Sequence, residues 1–364
     1  MSPSTPARCK GNSNVHTMNI PWEPHTPEEA MQLAFKAARK GIRGGNPLVG
    51  AVITNEEGYV VHVGYHRGAG TAHAEADAIA QAELADTDLS DTTMYVTLEP
   101  CNHFGRTGPC SHAIAESGIT KVVYAHPDMS DAEGGAQYLR EQGVLVEEGL
   151  FKNESFLLNE RWFRASAAKR PFVTAKVAST LDGYIAAEDG TSQWITGAEA
   201  RSLGHKIRER SDAIMVGTGT VLADNPSLSA RDEAGNLYER QPLRVALGMR
   251  DVPDEAMIRS GDNFVHLRTR DPHEGLEQLY ALGVRQLMIE GGPAVVSAFL
   301  KADLVDELFW YQAPILLGSG STAVQDLGIT TLAEAHRWAI DDLGMTPGTQ
   351  IVGSDFRVHL IPNH

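Results

Sequence analysis

The stretch TLEPCNHFGRTGPC (97–110), taken with GTAHAEADAI (70–79), decides the fold of the first half of this 364-residue sequence. Within them, His73, Cys101 and Cys110 offer one imidazole and two thiolates, which are ligands of the softness that zinc prefers. Three protein ligands leave the fourth tetrahedral position open, as a catalytic zinc requires. The two stretches therefore predict a catalytic zinc site.

Glu75 follows the proposed histidine ligand by two residues. At that spacing we expect its carboxylate to lie beside the metal without binding it and to carry protons. The order H-x-E and then P-C is typical of zinc-dependent deaminases, although eight residues instead of two separate the cysteines here. Glu75 is thus the predicted catalytic residue.

Each of these residues has an ordinary structural explanation when taken alone. His73 suits a polar position near a helix start, and the cysteines suit small core positions. Their coincidence with Glu75 and Pro100 favours the zinc site. Cys9, in a region without a periodic pattern, is expected to be inert. Solvent or substrate contact explains four nearby histidines better than metal binding: His62, His66, His103 and His112.

Outward from the zinc motif, short β-branched runs alternate with helical stretches. A capped helix begins near Thr26 and ends before Gly41, and residues 1–25 read as a disordered arm. The later elements are VGAVIT (49–54), YVVHVGY (59–65), a helix over 74–84, MYVTLE (94–99), a helix from about Ser111, and KVVYAH (121–126). This alternation predicts an α/β/α sandwich.

The second half begins after a polar stretch, RASAAKRP (164–171), which we predict to be a linker. The predicted domains are therefore 26–167 and 168–364. A second alternation follows, made of FVTAKVA (172–178), a helix over 198–210, AIMVG (213–217), LRVALG (243–248), FVHLR (264–268), QLMIE (286–290), a helix over 293–302 and ELFWYQAPILL (307–317). It predicts another α/β domain.

The charge balance narrows the range of partners. Thirty-one Lys and Arg against forty-seven Asp and Glu give a formal net charge of -16, which repels nucleic-acid backbones and anionic lipid. The sequence contains neither a long apolar run nor a secretory signal pattern, so we expect a cytoplasmic protein with no nucleic-acid or membrane partner.

The first half resembles a known family. NPLVGAVI (46–53) and the two zinc-motif stretches are similar to the deaminase half of the bifunctional riboflavin-biosynthesis enzymes of the RibD type, in the cytidine-deaminase-like superfamily. The long cysteine spacing belongs to that family's motif, although Gly108 stands where a proline is common. The resemblance implies hydrolytic deamination of 2,5-diamino-6-ribosylamino-4(3H)-pyrimidinone 5′-phosphate, with Asn46 holding the pyrimidine. By itself, Asn46 is equally well a turn residue before proline.

In the second half, Glu290-Gly291-Gly292-Pro293 ends an apolar run and opens a helix, where backbone N–H groups can approach a dinucleotide phosphate. The sequence GTG (217–219) is weaker evidence for dinucleotide binding, because Leu222 stands where a Rossmann fingerprint has its third glycine. A tight turn explains the two glycines equally well.

Residues 172–364 resemble the reductase half of the same enzymes, whose fold is similar to dihydrofolate reductase. The matching stretches are KVASTLDGYIA (176–186), SQWIT (192–196), MVGTGTVLADNPSLSAR (215–231) and IEGGPAVVSAFL (289–300). The resemblance implies NADPH-dependent reduction of the ribosyl group to ribityl. It implies cofactor contacts by Ala178, Trp194, Thr220, Asp224, Gly292, Pro293, Ala294, Val295, Val296 and Ser297. It implies substrate contacts by Ser192, Arg208, Leu228, Arg231 and Glu290.

Three of these reductase residues also have a simple structural explanation. Arg208 could be part of a solvated helix face, Arg231 could end a strand, and Trp194 could be a core residue.

Two other functions stay open at this point. One is a deaminase of another base or nucleoside fused to an unrelated reductase, against which the acidic charge and the cysteine spacing argue. The other is a non-catalytic ligand sensor, which would not need Glu75. The sequence leaves open the oligomeric state, homo-oligomers included, the choice between NADPH and NADH, and channelling of the intermediate.

Overall fold

The computed structural model describes residues 23–42, 45–68, 70–104, 108–130, 132–341 and 347–363. The chain divides into two compact units, Met1–Ala167 and Ala168–His364. Most of the predicted N-terminal arm, including Cys9, lies outside the described residues. Among the described residues, no helix combines the length and apolar character needed to cross a membrane.

The first unit places a sheet between two layers of helices. Its elements are α1 (Pro27–Ala38), β1 (Gly50–Thr54), β2 (Val60–Tyr65), α2 (Ala74–Leu84), β3 (Thr93–Val96), α3 (Cys110–Glu116), β4 (Lys121–Tyr124), α4 (Gly135–Glu141), β5 (Leu145–Glu148) and α5 (Lys152–Ala168). In the described part, the five strands follow the order β2-β1-β3-β4-β5, with β1 antiparallel to both neighbours and β3, β4 and β5 parallel.

Side chains alternate across this sheet because successive strand residues point to opposite faces. In β1, Ala51 and Ile53 pack in the core with α2, α3 and α4, whereas Val52 packs in the core with α1. The predicted capping box of α1 is present: Glu29 N–H donates to Thr26 Oγ1 at 3.3 Å, and Thr26 N–H donates to Glu29 Oε2 at 2.8 Å. The predicted α/β/α sandwich is confirmed.

The second unit is built on a larger mixed sheet. Its elements are β6 (Phe172–Thr180), β7 (Tyr184–Ala186), α6 (Ala198–Arg210), β8 (Ala213–Gly217), α7 (Thr218–Asp224), β9 (Leu243–Leu247), β10 (Phe264–Leu267), α8 (Pro272–Ala281), β11 (Gln286–Glu290), α9 (Pro293–Lys301), β12 (Glu307–Ala313), β13 (Ser321–Thr322), β14 (Trp338–Ile340), β15 (Thr349–Val352) and β16 (Asp355–Pro362).

In the described part of this unit, a nine-stranded sheet follows the order β10-β9-β8-β11-β6-β12-β16-β14, with β15 paired to β16. Six neighbouring strands of this sheet are parallel: β10, β9, β8, β11, β6 and β12. Strand β16 is antiparallel to β12, β14 and β15. The carboxyl ends of the parallel strands therefore lie at one edge, where open α/β sheets bind ligands.

Two predicted boundaries are wrong. The proposed linker from residue 164 is helical as far as Ala168, because its alanine-rich sequence favours a helix, Arg164 pairs with Glu160 at 2.9 Å, and no proline intervenes before Pro171. The predicted strand over 307–317 ends at Ala313, since Pro314 has no N–H to donate to the sheet. The sequence analysis also missed β5, β7, α4, α7, α8 and the strands from β13 to β16.

Candidate functional site

The three predicted zinc ligands converge in the first unit. His73 occupies the N-cap of α2, Cys110 is the first residue of α3, and Cys101 lies in the loop after β3. His73 Nδ1 is 3.5 Å from Cys101 Sγ and 3.4 Å from Cys110 Sγ. With Zn–S of about 2.3 Å and Zn–N of about 2.0 Å, a tetrahedral site has N–S edges of about 3.5 Å. The donor set and its spacing therefore fit zinc.

The backbone around Cys101 supports this arrangement. The Cys110 N–H donates to Cys101 Sγ at 3.4 Å, and the Ser111 N–H donates to the Cys101 carbonyl at 3.2 Å, so the start of α3 folds onto the loop. Gly135 permits the close approach of α4, because a Cβ there would lie 1.8 Å from the Pro100 carbonyl oxygen. Close packing thus joins residues that are far apart in the sequence.

The electrostatics of the cluster differ between its two thiols, because the hydrogen bond with Cys101, followed by burial, raises the pKa of Cys110. Hydrogen bonds with Cys110 and His73 lower the pKa of the Cys101 thiol, and metal ligation requires the thiolate form. Glu75, in the first turn of α2, is only 3% exposed. Burial, followed by the negative charge of Cys101, raises the pKa of Glu75 to about 7. Glu75 is therefore a buried carboxyl group beside the candidate metal ligands.

Asn46 lies near the same cluster and is held by His66. Asn46 Nδ2 lies 3.0 Å from His66 Nε2, and His66 Nδ1 lies 3.0 Å from the Ala72 carbonyl. Burial lowers the pKa of His66, which favours a neutral ring that accepts from Asn46 and donates to Ala72. Solvent contact, expected for this histidine, is wrong, because His66 and His62 are each 2% exposed.

A further support for the Asn46 loop comes from α5 and was missed by the sequence analysis. Asn159 Oδ1 accepts from the Leu48 N–H at 2.8 Å, and its Nδ2 donates to the Leu48 carbonyl at 2.9 Å. Trp162 Nε1 donates to the Gly45 carbonyl at 3.0 Å. Asn159 itself departs from helical geometry, with φ −119° and ψ 15°. The backbone on either side of Asn46 is thus anchored to a kinked, buried part of α5.

In the second unit, a cavity of about 1130 Å³ opens at the carboxyl ends of β6, β8, β9 and β11. Nearly all of the predicted reductase contacts line it: Ala178, Ser192, Trp194, Arg208, Thr220, Asp224, Leu228, Arg231, Glu290, Gly292, Pro293, Ala294, Val295 and Val296. Ser297 does not; its buried hydroxyl accepts from the Gln325 N–H at 2.8 Å. Trp194 is 68% exposed at the cavity, so the alternative of a core tryptophan is wrong.

An ion cluster lies at the cavity wall. Glu290 Oε2 accepts from Arg208 Nε at 2.6 Å, and Glu290 Oε1 is 3.3 Å from Lys176 Nζ. Burial alone would raise the pKa of Glu290, but the charges of Arg208 and Lys176 hold it well below its usual range. Arg208 also donates to the Ser229 carbonyl at 2.9 Å, so it is more than a solvated helix residue. The role of Lys176 in this cluster was missed.

Arg231 is less constrained than Arg208. Its Nε donates to Ser229 Oγ at 3.0 Å and its Nη1 to the Gly235 carbonyl at 2.9 Å, and it forms no ion pair within the described part of the chain. Its positive charge therefore remains available to an anionic ligand. The bridge between Arg231 and Leu237 fits the strand-end alternative as well.

The glycine turn before α9 also lines the cavity, directly after Glu290. Gly291 and Gly292 adopt φ values of +100° and +70°, which L side chains rarely adopt. A Cβ on Gly292 would lie 2.8 Å from Thr220 Oγ1. The bare backbone at the start of a nine-residue helix leaves room for a phosphate, and the adjoining cavity fits a nicotinamide dinucleotide.

The two sites define the class of protein: a zinc-dependent deaminase unit followed by a nicotinamide-dependent reductase unit. Family models agree, since residues 24–126 match the cytidine and deoxycytidylate deaminase zinc-binding region and residues 171–343 match the RibD C-terminal domain. The chain belongs to the RibD family of riboflavin-biosynthesis proteins.

Relatives and a solved structure cover most of the chain. It is 43% identical to the Corynebacterium ammoniagenes riboflavin biosynthesis protein RibD over 80% of this chain and 87% of the relative. It is 41% identical to the Mycobacterium tuberculosis protein over 92% and 97%. A Thermotoga maritima structure, described as a diaminohydroxyphosphoribosylaminopyrimidine deaminase and 5-amino-6-(5-phosphoribosylamino)uracil reductase, matches with TM-score 0.75, 32% identity, 93% coverage of this chain and 99% of that chain.

Proposed function

We propose that the two units act in succession on one small molecule. The chain is a bifunctional enzyme of riboflavin biosynthesis, with deaminase and reductase activities and with zinc and NADPH as cofactors. Its substrate is a small pyrimidine ribosyl phosphate. The specific proposal is deamination of 2,5-diamino-6-ribosylamino-4(3H)-pyrimidinone 5′-phosphate within residues 26–167, followed by reduction of the ribosyl group within residues 168–364. The convergence of His73, Cys101 and Cys110 beside buried Glu75 is the observation that carries it.

In the deaminase step, His73, Cys101 and Cys110 hold zinc, which supplies a Lewis acid that makes water nucleophilic at neutral pH. Glu75 accepts a proton from the attacking water and returns it to the exocyclic nitrogen as the C–N bond breaks and ammonia leaves. Asn46, held by neutral His66, hydrogen-bonds the pyrimidine. The burial of Glu75 and the contact between Asn46 and His66 support this division of roles.

In the reductase step, NADPH supplies the hydride that converts ribosyl to ribityl. Arg231, which lacks a carboxylate partner in the described chain, binds the substrate phosphate. Arg208 forms an ion pair with Glu290 and so holds that carboxylate in the cavity wall. There the Glu290 carboxylate can accept hydrogen bonds from the sugar hydroxyls. Trp194 offers an aromatic plane at the cavity mouth, with the Arg201 guanidinium 4.5 Å from its ring centre. We place the protein in the cytoplasm.

The proposal is tested with the purified chain and the diaminopyrimidinone ribosyl phosphate, with and without NADPH. Ammonia release should occur without NADPH, and loss of NADPH absorbance should require both the substrate and the prior deamination. Glu75→Gln should block ammonia release while the deaminated intermediate, supplied directly, is still reduced. Reduction of the starting compound without ammonia release, or ammonia release from cytidine alone, would contradict the proposal.

A further inference from the structure

Two polar residues beside Cys101 have no role in the steps above. Glu99 precedes Cys101 by two residues in the loop after β3, and Asn102 follows it directly. Glu99 is only 8% exposed, and a carboxylate is costly to bury unless hydrogen bonds satisfy it. The hydrogen-bond partners of these two side chains therefore show what they do in the fold.

The Glu99 carboxylate accepts three backbone N–H groups from the segment that leads into α4. Its Oε2 accepts from Asp128 at 3.1 Å, and its Oε1 accepts from Gly134 at 3.3 Å and from Ala136 at 3.0 Å. The first N–H groups of a helix have no partner within the helix, and Gly134, the N-cap of α4, has no side chain that could accept them. Glu99 thus caps α4 from a distant part of the sequence and fixes that helix to the backbone just before Cys101.

Asn102 ties down the backbone just after Cys101. Its N–H donates to the Ala132 carbonyl at 2.9 Å, in the segment before α4. Its Oδ1 accepts from Ser111 Oγ at 2.8 Å, and Ser111, the residue after Cys110, is fully buried. The side chains that follow the two cysteines are therefore hydrogen-bonded to each other, which joins the two segments that carry the thiols.

We propose that Glu99 and Asn102 are positioning residues that hold the Cys101 thiolate where zinc needs it. The proposal rests on the zinc ligation proposed above. Contacts on both sides of Cys101 restrict the loop before the metal arrives, so less conformational freedom is lost when zinc binds. Groups that orient metal ligands from outside the coordination sphere commonly contribute about tenfold to a hundredfold in metal affinity.

Competition for zinc with a chromophoric chelator tests the proposal on the full chain without any turnover. Glu99→Gln replaces one carboxylate oxygen by an amide nitrogen that cannot accept a backbone N–H, and Asn102→Leu removes the acceptor for Ser111. Each variant should bind zinc about tenfold to a hundredfold more weakly than wild type. Asn102→Asp keeps an oxygen acceptor at that position and should bind zinc as tightly as wild type.

Thr92→Val is the matched control for a loss of stability alone. Thr92 is buried in the same unit and donates to the Leu89 carbonyl at 2.6 Å, and it lies directly before β3, at the opposite end of that strand from the zinc loop. Thr92→Val should lower the melting temperature and leave the zinc affinity unchanged. Cobalt(II) bound in place of zinc has visible absorption bands that depend on ligand geometry, so these bands should shift in Glu99→Gln and stay constant in Thr92→Val.

Each outcome decides the matter. Wild-type zinc affinity and wild-type cobalt spectra in both Glu99→Gln and Asn102→Leu would overturn the proposal and leave the zinc site standing. Failure of the wild-type chain to bind zinc would overturn both. An equal loss of zinc affinity in Thr92→Val would show that affinity follows the stability of the unit, and would also overturn the proposal.

Ser111→Ala keeps the test open if Glu99→Gln does not fold, because it breaks the contact with Asn102 from the other side and removes only one hydroxyl. The double variant Ser111→Ala, Asn102→Leu should bind zinc no more weakly than Asn102→Leu alone, since both changes remove the same hydrogen bond. Losses of zinc affinity that add in the double variant would refute the positioning role of Asn102.

Discussion

Replacing Arg208 by alanine should destabilise the second unit as well as impair reduction. The change leaves Glu290, whose side chain is 15% exposed, without its partner at 2.6 Å and with only Lys176 at 3.3 Å. Breaking a buried ion pair from one side costs about 3–5 kcal/mol. Because Lys176 remains, we expect a loss of about 3 kcal/mol in the free energy of unfolding, at the lower end of that range.

Arg231→Ala is the matched comparison. Arg231 is partly exposed and loses only its hydrogen bonds to Ser229 and Gly235, so the stability loss should be about 1 kcal/mol. Its reductase efficiency should fall about tenfold to a hundredfold through loss of the substrate phosphate contact, while ammonia release persists. Urea unfolding of the full chain and separate assays of the two half-reactions distinguish the variants. Equal stability loss in both variants, or equal loss of both activities in Arg231→Ala, would refute the reasoning.

The same ion cluster sets a pH dependence. The folded-state pKa of Glu290 lies below its unfolded value, so the cluster contributes stability at pH values above about 4.3 and loses it as the pH falls through the folded pKa. In Arg208→Ala the folded-state pKa of Glu290 rises toward its unfolded value, so less stability should be lost as the pH falls below about 4.3. Melting temperatures of both proteins between about pH 2 and pH 6 test this. An equal fall in the melting temperatures of the two proteins below about pH 4.3 would contradict it.

Three further results are expected in the first unit. The purified chain should contain zinc, and a Cys101→Ser, Cys110→Ser double variant should not retain it on metal analysis; full occupancy in that variant would exclude the two thiolates as ligands. Glu75→Gln should lower the rate of ammonia release about a hundredfold or more with zinc still bound, and near-normal release would remove Glu75 from the chemistry. Asn159→Ala, which removes both contacts to the Leu48 backbone, should raise the deaminase KM more than it lowers kcat and cost about 1–3 kcal/mol of stability; a loss of stability alone would make Asn159 purely structural.

Local chemistry explains why much of this protein could be predicted from its sequence. The capping box at Thr26 and Glu29 depends on neighbours within one turn, and a strand such as β1 depends on its own β-branched run. The zinc ligands could be recognised because thiolates and an imidazole beside a glutamate form a rare combination with few other uses. The same applies to the resemblance of the second half to RibD reductases, because nearly all of the contact residues that it predicted line the cavity.

Other features depend on contacts between residues distant in the sequence. His66, for which the sequence favoured solvent or substrate contact, is buried and contacts Asn46 and the Ala72 carbonyl. Asn159 binds the Leu48 backbone, although the two residues are 111 positions apart in the sequence. The pairing of Glu290 with Arg208 spans 82 residues, and it makes a residue that was predicted to contact the substrate the partner of a buried carboxylate.

The sequence by itself determined the fold class and the zinc motif through residue chemistry and short-range spacing, and it indicated the two activities through its resemblance to the RibD family. The tertiary structure alone decided which polar groups are already satisfied and which remain available to a ligand, because hydrogen-bond partners and burial depend on which distant segments pack together. Arg208 and Arg231 both line the cavity, and only that packing distinguishes them, because it pairs Arg208 with Glu290 and leaves Arg231 without an ion pair in the described chain.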